Sequence, residues 1–407
     1  MNIISGGVTA PKGFKAASCA AGIKYKERTD MAMLYSEAGC VSAGVYTSNV
    51  VKAAPVIWDR TVTESNALVQ AVVVNAGIAN ACTGKQGLDY CSQEAEATAK
   101  ALNVNADGVL VMSTGVIGKQ LPMDKLTAGI QAMSKTLDGS IESGTNASKA
   151  IMTTDTVNKE VAVSFDVDGV TVTVGGMSKG SGMIHPNMCT MLGFVTTDCV
   201  ISKELLQKAL SEDVKDTFNM ISVDGDTSTN DTLVVLANGL AGNTPIDKEG
   251  AAYDKFKEAL HYINETLAKK MAGDGEGATA LLEVTVKGAK SKESAKVLAK
   301  SVVCSSLVKA AVYGHDANWG RILCALGYSG EKFDPEKVSV SYVSEAGEIL
   351  VCKDGSDVEF SEEKATEILS KEAVTIIADM NEGDGCATAW GCDLTHDYVS
   401  INADYRS

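Results

Sequence analysis

The chain has 407 residues, enough for two or more packed units, and its 45% hydrophobic and 22% charged residues are the balance of an ordinary soluble globular protein. Its net charge of −16 argues against nucleic acid or an anionic membrane as a partner. No apolar run approaches the ~18 residues of a membrane span, and the N-terminal MNIISGGVTAPKGFKAA lacks the blocks of a secretory signal; a cytoplasmic location is expected.

The elements read as follows along the chain. Residues 67–84, ALVQAVVVNAGIANACTG, predict a buried strand entering a small-residue turn. Residues 93–103 predict a helix with alanine on its inner face, and residues 108–120 a buried strand ending in a Ser-Thr-Gly turn. Residues 160–180 alternate about Asp168-Gly169, the pattern of a hairpin. SKELLQKALSEDVKDTFNMI and AAYDKFKEALHYINETLAKKMAGDG have helical periodicity, the second ending at Gly273. An internal echo joins residues 272–284 to residues 382–395, each expected to follow a helix and lead into a strand; two independent turns explain it, with a duplicated unit as the alternative. Strands alternating with long helices imply a layered α/β or α+β fold.

Eleven cysteines, an odd number without any CxxC, and four scattered histidines (His185, His261, His315, His396) offer no ligand spacing. Free, mostly buried thiols and no metal are expected. Loops for nucleotide phosphates are missing too: neither GxxxxGK[ST] nor a strand-to-helix GxGxxG occurs, and HExxH and GxSxG are absent.

What remains is Gly180 to Asp198, GSGMIHPNMCTMLGFVTTD, where a glycine-rich segment runs into an apolar one at Cys189-Thr190. A threonine hydroxyl is a weak nucleophile until a base takes its proton. At a chain terminus the α-amine, with an ordinary pKa of about 8, can be that base. Thr190 gains such a terminus if its hydroxyl attacks the carbonyl of residue 189 and the ester then hydrolyses. Read on its own, the stretch also fits a plain strand start with a buried thiol.

The wider pattern tips the balance. GGVTAPKGFKAA (6–17), NACTG (80–84), STGVIG (113–118), MTTDT (152–156), GMSKGSGMIHPNMCTML (176–192), SVDGDTSTNDT (222–232), GDGEGAT (273–279), NWGRI (318–322) and the C-terminal INADYRS together resemble the ornithine acetyltransferase (glutamate N-acetyltransferase) family over nearly all of the chain. The resemblance implies an α+β, N-terminal-nucleophile-like fold and a precursor that cuts itself into an α chain (1–189) and a β chain (190–407), with residues 285–407 as a C-terminal subdomain and an α2β2 heterotetramer as the assembly. It implies acetyl transfer from N2-acetyl-L-ornithine to L-glutamate in arginine biosynthesis. No metal or organic cofactor is implied, and acetyl-CoA is left open as a further acetyl donor.

Carried over by residue, Thr190 is nucleophile for cleavage and transfer, Cys189 and Thr190 flank the cut, and Thr114 with Gly115 forms the oxyanion hole. Thr153, Lys179, Thr190, Glu276, Asn402 and Ser407 bind substrate. Lys179 suits a carboxylate and Glu276 an ammonium, although which meets which stays open. His185 is expected to be structural. The chain departs from the family at Cys189, where alanine is usual, and at Ala76, Ile78, Ala280 and Ala317, changes that bear on substrate preference and loop stiffness rather than reaction class. A related N-terminal-nucleophile aminopeptidase or amidase, passing the acyl group to water, is the competing activity, and an uncleaved binding protein a third reading.

Overall fold

The computed structural model of the protein describes residues 1–24, 26–185 and 191–404. Its first sheet grows around Val69–Ile78, VQAVVVNAGI, a strand buried at all but one position. Such a strand needs cover on both faces: Val72 and Val74 join one apolar cluster, with Ala147 and Ile151, while Ala71 and Val73 join another, with Leu126 and Ile130.

Among the described residues this sheet has nine strands. The order is Asn2–Ile4, Lys159–Val167, Val170–Lys179, Leu192–Thr197, Thr232–Ala237, Met31–Tyr46, Val69–Ile78 and Val109–Val116, with Phe14–Cys19 also pairing Met31–Tyr46. Two strands that follow residue 190 thus lie between strands that precede residue 189. Pairing is antiparallel except between Leu192–Thr197 and Thr232–Ala237 and between Val69–Ile78 and Val109–Val116.

A second sheet, of seven strands among the described residues, runs Ser356–Asp357, Gly347–Lys353, Ser339–Ser344, Ala373–Asp379, Leu281–Ala289, Gly385–Cys392 and Ile221–Ser222. Between the sheets lies the helix Ala251–Gly273, which touches Lys159–Val167 and Val170–Lys179 on one side and Leu281–Ala289 and Gly385–Cys392 on the other. Phe256, Leu260, Ile263 and Leu267 recur at three- and four-residue spacing and are all fully buried. The result is a layered α+β fold, as expected. No described helix is long and apolar enough to cross a membrane.

The hairpin forms as expected, Lys159–Val167 against Val170–Lys179, turning through Asp168 (φ 51°) and Gly169 (φ 83°). The helix expected at 93–103 begins earlier and spans Gly84–Leu102. Its inner face carries Ala95 and Ala99 but also Glu94, fully buried, with neither carboxylate oxygen hydrogen-bonded. The Ser-Thr-Gly turn is a correction: Ser113, Thr114 and Gly115 lie within the strand Val109–Val116, whose register shifts opposite Gly77 and Ile78. The echo is another. Residues 382–395 follow a strand, Ala373–Asp379, not a helix, and the two echoing segments lead into strands that pair antiparallel with each other. Of the ten described cysteines, all free, five are buried and three exposed.

Candidate active site

The end of Val109–Val116 sets the first wall. Gly115 sits at φ 129°, and a side chain there would collide with the backbone of Gly77, so only glycine lets the two strands close at this bulge. Asn230, which also lines the cavity described below, fixes the same corner, donating its side-chain amide to the carbonyls of Ala79 (2.6 Å) and Ser113 (2.8 Å). Asp231, the next residue, accepts the backbone N–H of Met191 at 2.7 Å.

Thr114 faces Lys179, at the end of its strand: the lysine Nζ lies 3.5 Å from the Thr114 hydroxyl and donates to the Thr153 hydroxyl at 2.8 Å. Thr153 is held in turn by its own N–H on Asp155 Oδ2 (3.0 Å) and by Arg28, which donates to the Thr153 carbonyl (3.2 Å). The third wall follows the helix Ala251–Gly273. Glu276 donates its backbone N–H to the Ser181 carbonyl (3.0 Å) and accepts Asn402 Nδ2 on its carboxylate (2.7 Å). A Cβ at Gly182 would stand 2.3 Å from that carboxylate, so the glycine is what admits it.

These walls enclose a cavity of about 120 Å³ that reaches solvent. Thr114, Gly115, Thr153, Lys179, Glu276 and Asn402 all line it, so six residues scattered over 289 positions of the sequence meet in one place. Thr190 and Cys189, the expected nucleophile and its neighbour, and Ser407 lie outside the described residues. Lys179 is 4% exposed and Glu276 8%. Burial pushes the Lys179 ammonium below the usual lysine range, and the charge of Asp155 opposes that drop. Burial alone would raise Asp155, but Lys179 and Lys159 outweigh it and hold its carboxyl well below the usual range.

His185 lies away from this cavity, with Nδ1 3.1 Å from the Ser222 hydroxyl and 3.5 Å from Cys304 Sγ. Burial, helped by Lys300, pushes its imidazole down to about 4. The four described departures from the family sit in packing positions: Ile78 belongs to the apolar cluster of Val73 and Val111, and Ala76, Ala280 and Ala317 are buried.

Sequence reasoning passed over Asn230, Asp231, Asp155, Lys159 and Asp274. Asp155 and the Asn-Asp pair stood inside MTTDT and STND without a role. Lys159 gave one signal: a charged residue opening a strand at a position where the alternation points inward.

Fold and cavity define the class, a layered α+β protein whose candidate site is made of hydroxyls, one buried amine and one carboxylate. The chain belongs to the ArgJ family, whose model its sequence matches over residues 15–407. It is 52% identical to the arginine biosynthesis bifunctional protein ArgJ 1 of Clostridium acetobutylicum over 97% of this chain and 96% of that one. It is 50% identical to the arginine biosynthesis bifunctional protein ArgJ of Thermotoga neapolitana over 98% and 99%. A crystal structure of the ArgJ protein of Bacillus halodurans, 49% identical, superposes with a TM-score of 0.51 over 53% of this chain and 100% of that one.

Proposed function

We propose that this chain is a self-processing glutamate N-acetyltransferase of arginine biosynthesis, moving the acetyl group from N2-acetyl-L-ornithine to L-glutamate through an acetyl-Thr190 ester. One observation carries the reading: Thr114, Gly115, Thr153, Lys179, Glu276 and Asn402 line one cavity. The hydroxyl of Thr190 attacks the acetyl carbonyl and gives its proton to its own α-amine. Thr114 and the amide of Gly115 take the charge on the carbonyl oxygen. The C–N bond breaks, the protonated amine passes its proton on, and ornithine leaves. The glutamate amine then attacks the ester and restores the Thr190 hydroxyl. Lys179 receives the α-carboxylate of either substrate, and Glu276, steadied by Asn402, receives the ornithine ammonium. Ser407 completes the substrate contacts. No metal or organic cofactor takes part, and acetyl-CoA is the second donor we assign, in keeping with the word bifunctional in the relatives' names.

The cut falls between Cys189 and Thr190, giving α (1–189) and β (190–407) chains that assemble as an α2β2 heterotetramer in the cytoplasm. Residues 190–407 are 218 of 407, about 54% of the chain, and the Bacillus halodurans chain in its full length covers 53% of this one. That match supports a processed polypeptide.

Incubating purified protein with N-acetylornithine and glutamate should yield N-acetylglutamate, and intact mass should show two fragments, the second beginning at Thr190. A single full-length species in active protein would overturn the mechanism, and release of acetate without transfer would make it a hydrolase. Thr190→Ala should neither cleave nor turn over, whereas Cys189→Ala should do both within about a few-fold of wild type. A thiol at residue 189 is left on the α-chain carboxylate and has no α-amine of its own. Glu276→Gln should raise KM for N-acetylornithine more than for glutamate in steady-state assays.

A further inference from the structure

Behind the cavity runs a line of four alternating charges. Lys159 Nζ lies 2.8 Å from Asp155 and 2.5 Å from Asp274, and Asp155 lies 3.8 Å from Lys179. Lys159 is fully buried, and none of the other three is more than 8% exposed. Its two acidic residues also hold segments that carry pocket residues. Asp155 accepts the N–H of Thr153 (3.0 Å) and of Gly180 (2.7 Å), next to Lys179. Asp274 accepts the N–H of Thr156 (3.1 Å), and its carbonyl takes the Ser181 hydroxyl (2.7 Å), two residues before Glu276. The line therefore ties the hydroxyl, ammonium and carboxylate walls into one unit.

We propose that Asp155 and Lys159 are positioning residues for recognition of the substrate carboxylate, acting on Lys179 in opposite senses: Asp155 keeps its ammonium charged and in place, and Lys159 limits how firmly. The proposal rests on the acetyl-transfer reading above. The charged groups facing Lys179 are Asp155 from the turn before its hairpin, Lys159 from the adjoining strand, Glu276 from beyond the long helix, and Asp231 from the head of Thr232–Ala237. Removing the charge of Asp155 leaves two buried ammonium groups without the carboxylate between them. Lys179, the one facing the cavity, then sheds its proton more readily. Removing the charge of Lys159 leaves Asp155 to Lys179 alone, and the Lys179 proton is held more tightly. A pair whose only role is to hold the fold would not produce opposite changes.

The test is the pH profile of kcat/KM for glutamate in wild type, Asp155→Asn and Lys159→Gln. Substrate ionisations are common to all three proteins and cancel in the comparison. Asp155→Asn should move the alkaline limb down by about one pH unit or more. The loss should fall on KM, by about tenfold at the shifted limb, with kcat within about a few-fold. Lys159→Gln should move the limb up. An inactive wild type would overturn the reading beneath the proposal. An active wild type whose variants shift together, or not at all, would overturn the proposal alone. If Asp155→Asn does not fold, Lys159→Gln decides: an upward limb supports the positioning role, and an unmoved or lowered one refutes it.

Discussion

Beside the cavity, Lys159 lies between Asp155 and Asp274 at hydrogen-bond distance, and every charge has an opposite neighbour. Behind the strand that carries Thr114, Asp59 and Glu94 are just as deeply buried, yet among the described residues neither makes an ion pair. Asp59 accepts the N–H of Val111 (2.7 Å), while its second oxygen and both oxygens of Glu94 have no partner. The two regions resolve one physical problem differently. A buried charge is expensive unless paired. The first cluster pairs; the second gives up its charge by staying protonated, burial pushing Asp59 well above the carboxylate range and Glu94 up to about 8. Pairing keeps an ammonium available at the cavity where we propose that a carboxylate substrate binds, and neutrality suffices where the helices only back a strand.

The comparison can be broken most forcefully at Asp274. Asp274→Ala leaves Lys159 with one carboxylate instead of two and strips Thr156 of its acceptor, so it should cost ~3–5 kcal/mol in urea unfolding, measured in the uncut Thr190→Ala background. A loss under about 1 kcal/mol would mean the line is not a structural unit. Thr114→Ala should separate chemistry from stability. Loss of one oxyanion donor lowers kcat by ~10²–10³, with the unfolding midpoint nearly unmoved, and wild-type turnover would remove Thr114 from the site.

Glu94→Gln is the smallest change and carries a sign. The folded-state acidity of Glu94 is raised, so the native protein holds a proton that the unfolded chain releases above about pH 4.5. Wild-type stability therefore falls as pH rises from the unfolded value toward about 8, by up to about 1.4 kcal/mol per pH unit from this group. Glu94→Gln has no such proton to lose, so its melting temperature relative to wild type should improve between pH 6 and pH 8. A difference independent of pH would show that Glu94 is already ionised at pH 6.

Local pattern was legible where one rule acted alone. The Asp168-Gly169 hairpin and the helix Ala251–Gly273 follow from turn chemistry and from periodicity. The Thr114 region was misjudged because Ser-Thr-Gly is turn vocabulary, whereas here the strand runs on and absorbs Gly115 as a bulge against Gly77. The lining residues came from the motif resemblance, not from spacing: nothing local says that Lys179 and Thr153 are 2.8 Å apart. The charge line stayed hidden because Lys159 and Asp274 are 115 positions apart and each alone resembles a solvated side chain. Glu94 was masked by its alanine neighbours, a helix face that composition calls apolar.

The interleaved first sheet has a consequence for the history of the molecule. Leu192–Thr197 and Thr232–Ala237 are flanked on both sides by strands that precede residue 189. A cut at that point leaves every hydrogen-bonded ladder in place, so the native state barely registers it. The unfolded state registers it fully, because one chain has become two and reassembly must wait for their encounter. On the proposed cut, folding would precede cutting and could not readily be repeated after it. Dilution from urea should return the uncut Thr190→Ala protein at a rate independent of concentration. The processed protein should recover more slowly as it is diluted, its working lifetime set by how seldom it opens rather than by how well it can close again.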